Sequence, residues 1–224
     1  MKSRLLAEGL GTGLLLYVVV GSGIAAQSLA QDPGTQLFTH SVVVGLGLAA
    51  LIAMFQATSG SHFNPAVSLA FWRSGDITSG EALRYVAAQI AGGVLGVIAA
   101  NLTFGVSAMT VSETVRSGAG LVTAEAIGTF VLVLSILLLM RTSRAGLVPA
   151  VVGAWVAAIV FATSSTGFAN PAVTVARVFT DTFTGIAPAS VLAFVAAQLL
   201  AGLFAALAVR SLVPSHAPTT RSPA

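Results

Sequence analysis

A seven-residue pattern that occurs twice most constrains the fold of this chain. Residues 61–67 read Ser-His-Phe-Asn-Pro-Ala-Val, and residues 167–173 read Gly-Phe-Ala-Asn-Pro-Ala-Val. Asparagine is favourable just before a helix, and proline suits the first helical position because its missing N–H has no partner there. Each copy therefore predicts a half-helix, ending near Gly75 in the first copy and near Gly185 in the second. Helix N-termini carry free N–H groups and partial positive charge.

The composition places both copies in a membrane protein. Of the 224 residues, 56% are hydrophobic and only 8% are charged, whereas soluble domains carry about 25% charged residues. The sequence contains no cysteine, which excludes disulfides and thiolate metal sites. A helix needs roughly 20 residues to cross hydrocarbon. Six segments near that length are predicted to span the membrane, at about 5–26, 38–57, 82–104, 121–140, 147–163 and 188–209.

The two halves of the chain repeat each other. Ala-Glu-x-x-Gly-Thr opens both halves, at residues 7–12 and 124–129, and Ala-Ala-Gln recurs in the third and sixth spans, at residues 87–89 and 196–198. Because each repeat has an odd number of spans, the second repeat must be inverted relative to the first. Inverted repeats with broken helices place a solute site near the bilayer midplane. We therefore predict an all-α membrane protein with six transmembrane helices and two re-entrant half-helices.

The domain limits and the orientation follow from the same pattern. A single domain is predicted over residues 1–211, with repeats at about 5–104 and 121–210, followed by a disordered cytoplasmic tail at 212–224. Cytoplasmic loops carry the excess of Lys and Arg. This favours a multi-pass protein of the cell (inner) membrane with both termini in the cytoplasm. The cytoplasmic side then receives Lys2, Arg4, Arg73, Arg84, Arg141, Arg144, Arg210 and Arg221, and the outer side only Arg116 and Arg177.

Together these motifs resemble the aquaporin and glycerol-channel family, the major intrinsic proteins. The resemblance covers about residues 7–210 and rests on the paired Asn-Pro-Ala motifs and the repeated Ala-Glu-x-x-Gly-Thr. It implies that the half-helices meet at the bilayer centre, where two Asn side chains donate N–H groups to a passing solute. The implied pore motifs are Asn64, Pro65, Ala66, Asn170, Pro171 and Ala172. The resemblance also implies a homotetramer with one pore in each protomer.

Glu8 and Glu125 lie inside the first and fourth predicted spans, where a carboxylate is costly and usually paired or functional. One interpretation is a proton relay of a secondary transporter. The other is structural, because re-entrant loops expose backbone N–H groups that a buried carboxylate can accept. Symmetric placement favours the structural interpretation, and we assign His62 the same loop-supporting role. We predict no catalytic residue, no metal site and no cofactor.

The second motif departs from the family at Val173. Most relatives continue Asn-Pro-Ala-Arg, and that Arg lines their narrow outer constriction. Arg177, one helical turn beyond Val173, could replace the missing group; we favour the alternative, in which it faces the outer vestibule or pairs with Asp181. The resemblance places the constriction at Val44, Val160, Gly167 and Val173, which are all small or apolar.

A constriction without Arg or an aromatic ring is predicted to be wide and apolar. It favours passive conduction of small neutral solutes, such as glycerol, urea, or undissociated arsenous or antimonous acid. Some bacterial relatives with the same Asn-Pro-Ala-Val continuation resemble arsenic-associated channels. The alternatives are a water-selective channel, a proton-coupled secondary transporter and a closed structural membrane protein. The expected partners are neutral solutes and membrane lipid, with no nucleic acid, and we expect no enzymatic activity.

Overall fold

The computed structural model describes residues 1–213 and contains six membrane-length helices with two short helices between them. The helices are α1 Lys2–Leu29, α2 Pro33–Ser59, α3 Pro65–Ser74, α4 Ser79–Thr103, α5 Ala119–Arg141, α6 Val148–Ala162, α7 Pro171–Ala176 and α8 Pro188–Leu212. Single 3-10 turns precede α6 at Ala145–Leu147 and follow α7 at Arg177–Phe179. These residues form no strand, so the all-α prediction is confirmed. The tail is predicted at 212–224; Leu212 belongs to α8, and residues 214–224 lie outside the described part of the chain.

Local sequence sets most of the helix ends. Asp32 accepts a hydrogen bond from the Thr35 backbone N–H at 2.7 Å, with Pro33 in the first helical position. Asp32 and Pro33 thus begin a helix as well as a turn, and α2 starts earlier than predicted. Both α2 and α3 end at a glycine in the left-handed conformation, Gly60 with φ 89° and Gly75 with φ 87°, as is common at helix C-termini.

The second half-helix is shorter than predicted. We expected it to end near Gly185, but α7 ends at Ala176 and a 3-10 turn continues only to Phe179. The carbonyl groups at this end are bound by a different segment of the chain. The Ser112 backbone N–H donates to the Val178 carbonyl at 2.8 Å, and the Thr110 N–H donates to the Phe179 carbonyl. Tertiary hydrogen bonds therefore end this helix where no local signal does.

The segment between α4 and α5, residues 104–118, packs on the connection between α7 and α8. The Arg116 side chain donates from Nε to the Gly185 carbonyl at 2.8 Å and from a terminal nitrogen to the Phe183 carbonyl at 3.1 Å. The Asp181 carboxylate accepts the Glu113 backbone N–H at 3.1 Å. This segment, which joins the two repeats, thus also holds the end of the second half-helix.

Glycines bring the helices of the first repeat close together. A Cβ atom added at Gly92 would lie 2.0 Å from the Gly9 carbonyl oxygen, and one added at Gly96 would lie 2.0 Å from that of Gly13. Helices α1 and α4 thus touch through their backbones, as small residues allow in membrane proteins. Each half-helix packs on both α4 and α8, so the last helix of each repeat supports both half-helices.

Candidate solute pore

A cavity runs between the two repeats and contains the N-terminal ends of both half-helices. We call it the central cavity. Apolar side chains from α1, α2, α5 and α6 contribute Leu15, Val19, Leu48, Ile52, Leu132, Ile136, Val152 and Val156 to its lining. Residues 61–64 and 166–170 of the two loops also line it. The cavity therefore combines an apolar surface with loop backbone and amide groups.

The two motif asparagines connect the loops to each other. The Asn64 side chain caps α3 by accepting the Ala66 N–H at 2.9 Å, and its Nδ2 donates to the Ala169 carbonyl at 2.8 Å. The Asn170 side chain caps α7 in the same way, and its Nδ2 donates to the Phe63 carbonyl at 2.8 Å. An amide nitrogen has two N–H donors. Each asparagine therefore keeps a second N–H while lining the central cavity.

Both loops carry the same unusual backbone. Three residues in each loop have positive φ, at matching places before the Asn: Gly60, Ser61 and Phe63 in the first loop, and Thr166, Gly167 and Ala169 in the second. For residues other than glycine this conformation costs about 1–3 kcal/mol each. Such backbone persists only where the surrounding structure holds it in place.

Glu8 holds the first loop. Its carboxylate is fully buried and accepts the backbone N–H groups of His62 at 3.0 Å and Phe63 at 2.8 Å. It also accepts the Ser59 hydroxyl at 2.6 Å and the Gln89 amide at 2.8 Å. Four donors thus converge on one carboxylate, and two of them are loop N–H groups that no helix satisfies.

Glu125 holds the second loop in the corresponding way. It is fully buried and accepts the N–H groups of Phe168 at 2.9 Å and Ala169 at 2.8 Å. The Gln198 amide donates to it at 2.6 Å. Neither Glu125 nor Glu8 lines the central cavity, so both carboxylates contact the loops from outside it.

His62 lies where the central cavity meets a second cavity. The second cavity also contains Arg4, Ser59 and Arg141, and we call it the N-side cavity. The Nδ1 atom of His62 lies 3.1 Å from the Ser68 hydroxyl. Its ring therefore lies at the boundary of the two cavities, and its Nδ1 atom contacts Ser68 of α3.

The four residues projected as a constriction all line the central cavity. They come from three helices and one loop: Val44 of α2, Val160 of α6, Val173 of α7 and Gly167 of the second loop. The three valines are buried. The structure therefore gathers these four small or apolar residues in one passage.

Arg177 also lines the central cavity, and it does not pair with Asp181. Its side chain is 3% exposed, and its guanidinium carbon lies 3.5 Å from the centroid of the Phe168 ring. Its Nε donates to the Thr184 carbonyl. Asp181 instead bonds to Ser112 and Glu113. Of the two possibilities that we favoured together from sequence, the outer vestibule or a pair with Asp181, the pair is not formed, because Asp181 is bound by residues of another segment.

Two further residues of this site were not found by sequence reasoning. Phe168 provides the ring on which Arg177 lies, and His40 of α2 lines the same part of the cavity. His40 Nδ1 lies 2.8 Å from the Ser22 hydroxyl. Phe168 could have been recognised because it occupies the place of His62 in the repeated motif; His40 carried no comparable signal.

Comparison with known proteins places this arrangement among channels. Residues 1–169 match the family model described as "Major intrinsic protein". The chain is 42% identical over 221 residues to aquaglyceroporin AqpS of Rhizobium meliloti (strain 1021), covering 99% of this chain and 94% of that protein. It is 37% identical over 92 residues to the glycerol uptake facilitator protein of Escherichia coli (strain K12), covering 41% of this chain and 32% of that protein.

A solved structure has the same fold. The X-ray structure of the aquaglyceroporin from Plasmodium falciparum matches with a TM-score of 0.73 at 20% sequence identity. The match covers 94% of this chain and 97% of that chain. The six spans and the two half-helices therefore share the fold of that solved structure.

Proposed function

Because this chain belongs to the major intrinsic protein family, whose members are membrane channels, we propose that it conducts small uncharged solutes passively. Glycerol and neutral arsenous acid are the solutes that the lining favours, with or without water. The relatives named aquaglyceroporin and glycerol uptake facilitator support the polyol part of this proposal. The arsenous acid part rests on chemistry, because this acid resembles a polyol in shape and in its hydroxyl groups.

The carrying observation is that Val173 lines the central cavity together with Val44, Val160 and Gly167. None of these side chains can hold a solute by hydrogen bonds, and none is large enough to close the passage as Arg with an aromatic ring would. Hydrogen-bond donors stand beside them, in the amides of Asn64 and Asn170 at the junction of the half-helices. We infer a wide apolar ring beside a pair of N–H donors.

A neutral solute fits this combination better than an ion does. The solute loses part of its hydration in the ring, and the asparagine amides replace hydrogen bonds at the centre. Both half-helix N-termini meet there and carry partial positive charge, which raises the barrier for cations and protons. Undissociated hydroxyl compounds can therefore pass where metal cations cannot.

Stopped-flow light scattering on proteoliposomes tests the proposal. In a sucrose gradient we expect fast osmotic shrinkage, and in a glycerol gradient we expect fast shrinkage followed by fast re-swelling. Val173→Arg would place a long, positively charged side chain in the apolar ring of Val44, Val160 and Gly167. We expect it to slow glycerol re-swelling roughly tenfold, with a smaller change in water flux. The control is Val115→Arg, which adds the same charge at an exposed position of the segment between α4 and α5.

Two outcomes would contradict the proposal. Shrinkage without re-swelling in wild-type vesicles would identify a water-selective channel. Equal glycerol rates in wild type and Val173→Arg would mean that the ring lies elsewhere. Arsenous acid conduction is tested separately, by measuring the arsenic retained in the vesicles. Uptake no faster than through bare lipid would show that the channel does not conduct arsenous acid.

Proton-coupled transport has less support in the site. Both buried carboxylates accept several hydrogen bonds from the loops and stand outside the cavity lining. A pH gradient should therefore leave solute flux unchanged. Uphill uptake driven by such a gradient would favour a transporter instead.

We also propose the assembly and the orientation in the membrane. The excess of Lys and Arg on the side of the termini supports an N-in, C-in protein of the cell membrane. A homotetramer with a separate pore in each protomer is proposed by analogy with the family. Protease accessibility of tagged termini in sealed vesicles and cross-linking in native membrane test these two points.

A further inference from the structure

Arg177 occupies the end of the central cavity that α7 approaches as it leaves the junction of the half-helices. It follows Val173 by one helical turn, and a helix rises about 1.5 Å per residue. Its backbone therefore lies farther from Asn170 than that of Val173 does, at the start of the 3-10 turn. Phe168 and Thr184 hold the group there, through the ring contact at 3.5 Å and the hydrogen bond from Nε.

The charged end of Arg177 remains available to a solute. A guanidinium has five N–H donors, and within residues 1–213 only Nε has a protein acceptor. The ion pair found in those residues is Arg4 with Glu81, on the N-terminal side of the molecule. Within the described residues, no carboxylate thus lies within ion-pair distance of Arg177, although Arg177 is buried.

Arg116 shows what an arginine with a structural role looks like in the same region. Its guanidinium carbon also lies near the Phe168 ring, at a longer distance of 5.1 Å from the ring centroid. Both its Nε and a terminal nitrogen donate to backbone carbonyls, and it does not line the central cavity. The two arginines share one aromatic neighbour but only Arg177 reaches the passage.

We propose that Arg177 is the solute-facing cation of this channel and determines its rejection of cations. The inference rests on the proposed function, since it assumes that solutes pass through the central cavity. The four residues of the proposed apolar ring carry no charge, so that only partial charges at the two helix ends oppose cations there. A full positive charge in the same passage adds a stronger barrier. Neutral hydroxyl solutes accept its free N–H groups before they enter the ring.

Urea and guanidinium provide the test, because they are similar in size and shape but differ by one charge. We expect wild-type vesicles to pass urea and to exclude guanidinium. In Arg177→Met, guanidinium influx should rise roughly tenfold, while urea influx changes by less than about threefold. Arg177→Lys keeps the charge and should retain most of the exclusion. Arg73→Met, which removes an exposed arginine outside the central cavity, is the matched control and should behave as wild type.

The proposal is overturned if Arg177→Met, monodisperse and with wild-type water flux, excludes guanidinium as well as wild type does. Phe168→Leu gives an independent test should Arg177→Met fail to fold, because it removes the ring beneath the guanidinium and keeps the charge. Guanidinium influx should then rise about threefold, and an unchanged influx would overturn the proposal.

Failure of the proposed function would look different. Wild-type vesicles would then pass water but neither glycerol nor urea. If Arg177 closes the passage in that case, Arg177→Met would gain urea influx. Such a gain would still support a solute-facing role for Arg177. No change in any variant would reject both proposals.

Discussion

The two loops that meet in the central cavity have the same backbone but different surroundings. His62 in the first loop and Phe168 in the second occupy matching places before the motif Asn. The His62 ring packs on Phe71, with centroids 4.5 Å apart. The Phe168 ring packs under Arg177, which holds the place of Phe71 in the second copy. One architecture thus presents an aromatic pair in the first repeat and a cation on an aromatic ring in the second.

The two halves also differ in how their half-helices are held. Helix α3 has ten residues and ends at Gly75 in a left-handed conformation, a local signal. Helix α7 has six residues, and the segment 104–118 binds carbonyl groups of the 3-10 turn that follows it. The first half is therefore specified largely by nearby sequence, and the second depends on a connection between the repeats. A repeated motif thus does not imply that both copies are stabilised alike.

The largest effect is expected where the repeats pack differently. Gly96 in α4 corresponds to Ala205 in α8, so Gly96→Ala gives the first repeat the residue of the second. Its Cβ would lie 2.0 Å from the Gly13 carbonyl oxygen, and separating α1 from α4 should cost about 3 kcal/mol of unfolding free energy. Thermal unfolding in detergent measures this. Gly120→Ala, where an added Cβ meets nothing within 4 Å, is the control; equal melting temperatures would refute the close contact.

The carboxylates give the next largest difference. Glutamine keeps one acceptor oxygen, so Glu8→Gln loses two of four donors and Glu125→Gln loses one of three, that of Phe168. We expect losses of about 2 and about 1 kcal/mol of unfolding free energy, respectively. Glu113→Gln, at an exposed position, is the control and should leave the unfolding free energy unchanged. A larger loss for Glu125→Gln than for Glu8→Gln would show that hydrogen-bond number does not set the difference.

The smallest effect concerns the His62 ring itself. His62→Phe gives the first loop the residue of the second and removes the contact with the Ser68 hydroxyl at 3.1 Å, which should cost about 1 kcal/mol. Ser68→Ala removes the same contact from the other side. Thermal unfolding of both variants and of the double variant measures the coupling. If the double variant loses the sum of the two single losses of unfolding free energy, the His62–Ser68 contact contributes nothing to stability.

The membrane made much of this fold predictable. Six spans follow from hydrocarbon thickness, and both half-helices begin where an Asn-Pro pair predicts, at Pro65 and Pro171. The projected ring residues Val44, Val160, Gly167 and Val173 do line one cavity, although their role as a constriction remains our proposal. These features depend on helix capping and on the repeat, and both are visible in the residues themselves.

The parts that sequence reasoning missed depend on contacts between distant segments. The 3-10 turn after α7 is bound by Ser112 and Thr110, which no local pattern connects to Val178 and Phe179. The place of Arg177 is set by a carbonyl group and a ring from two different loops. Every residue has a backbone carbonyl group, so the sequence does not indicate which one accepts the hydrogen bond. The orientation of the arginine could therefore not be chosen among the alternatives before the structure was known.

The reciprocal bonds of the two asparagines bear on how the chain assembles during synthesis. Asn64 donates to Ala169 and Asn170 donates to Phe63, so each loop supplies a partner that the other lacks. Because synthesis proceeds from the N-terminus, the Phe63 carbonyl is made well before its donor exists. The loop of the first repeat therefore lacks its Asn170 donor until the second repeat has been made. The junction of the half-helices is thus completed late in synthesis, and a chain released after α4 would lack both reciprocal bonds.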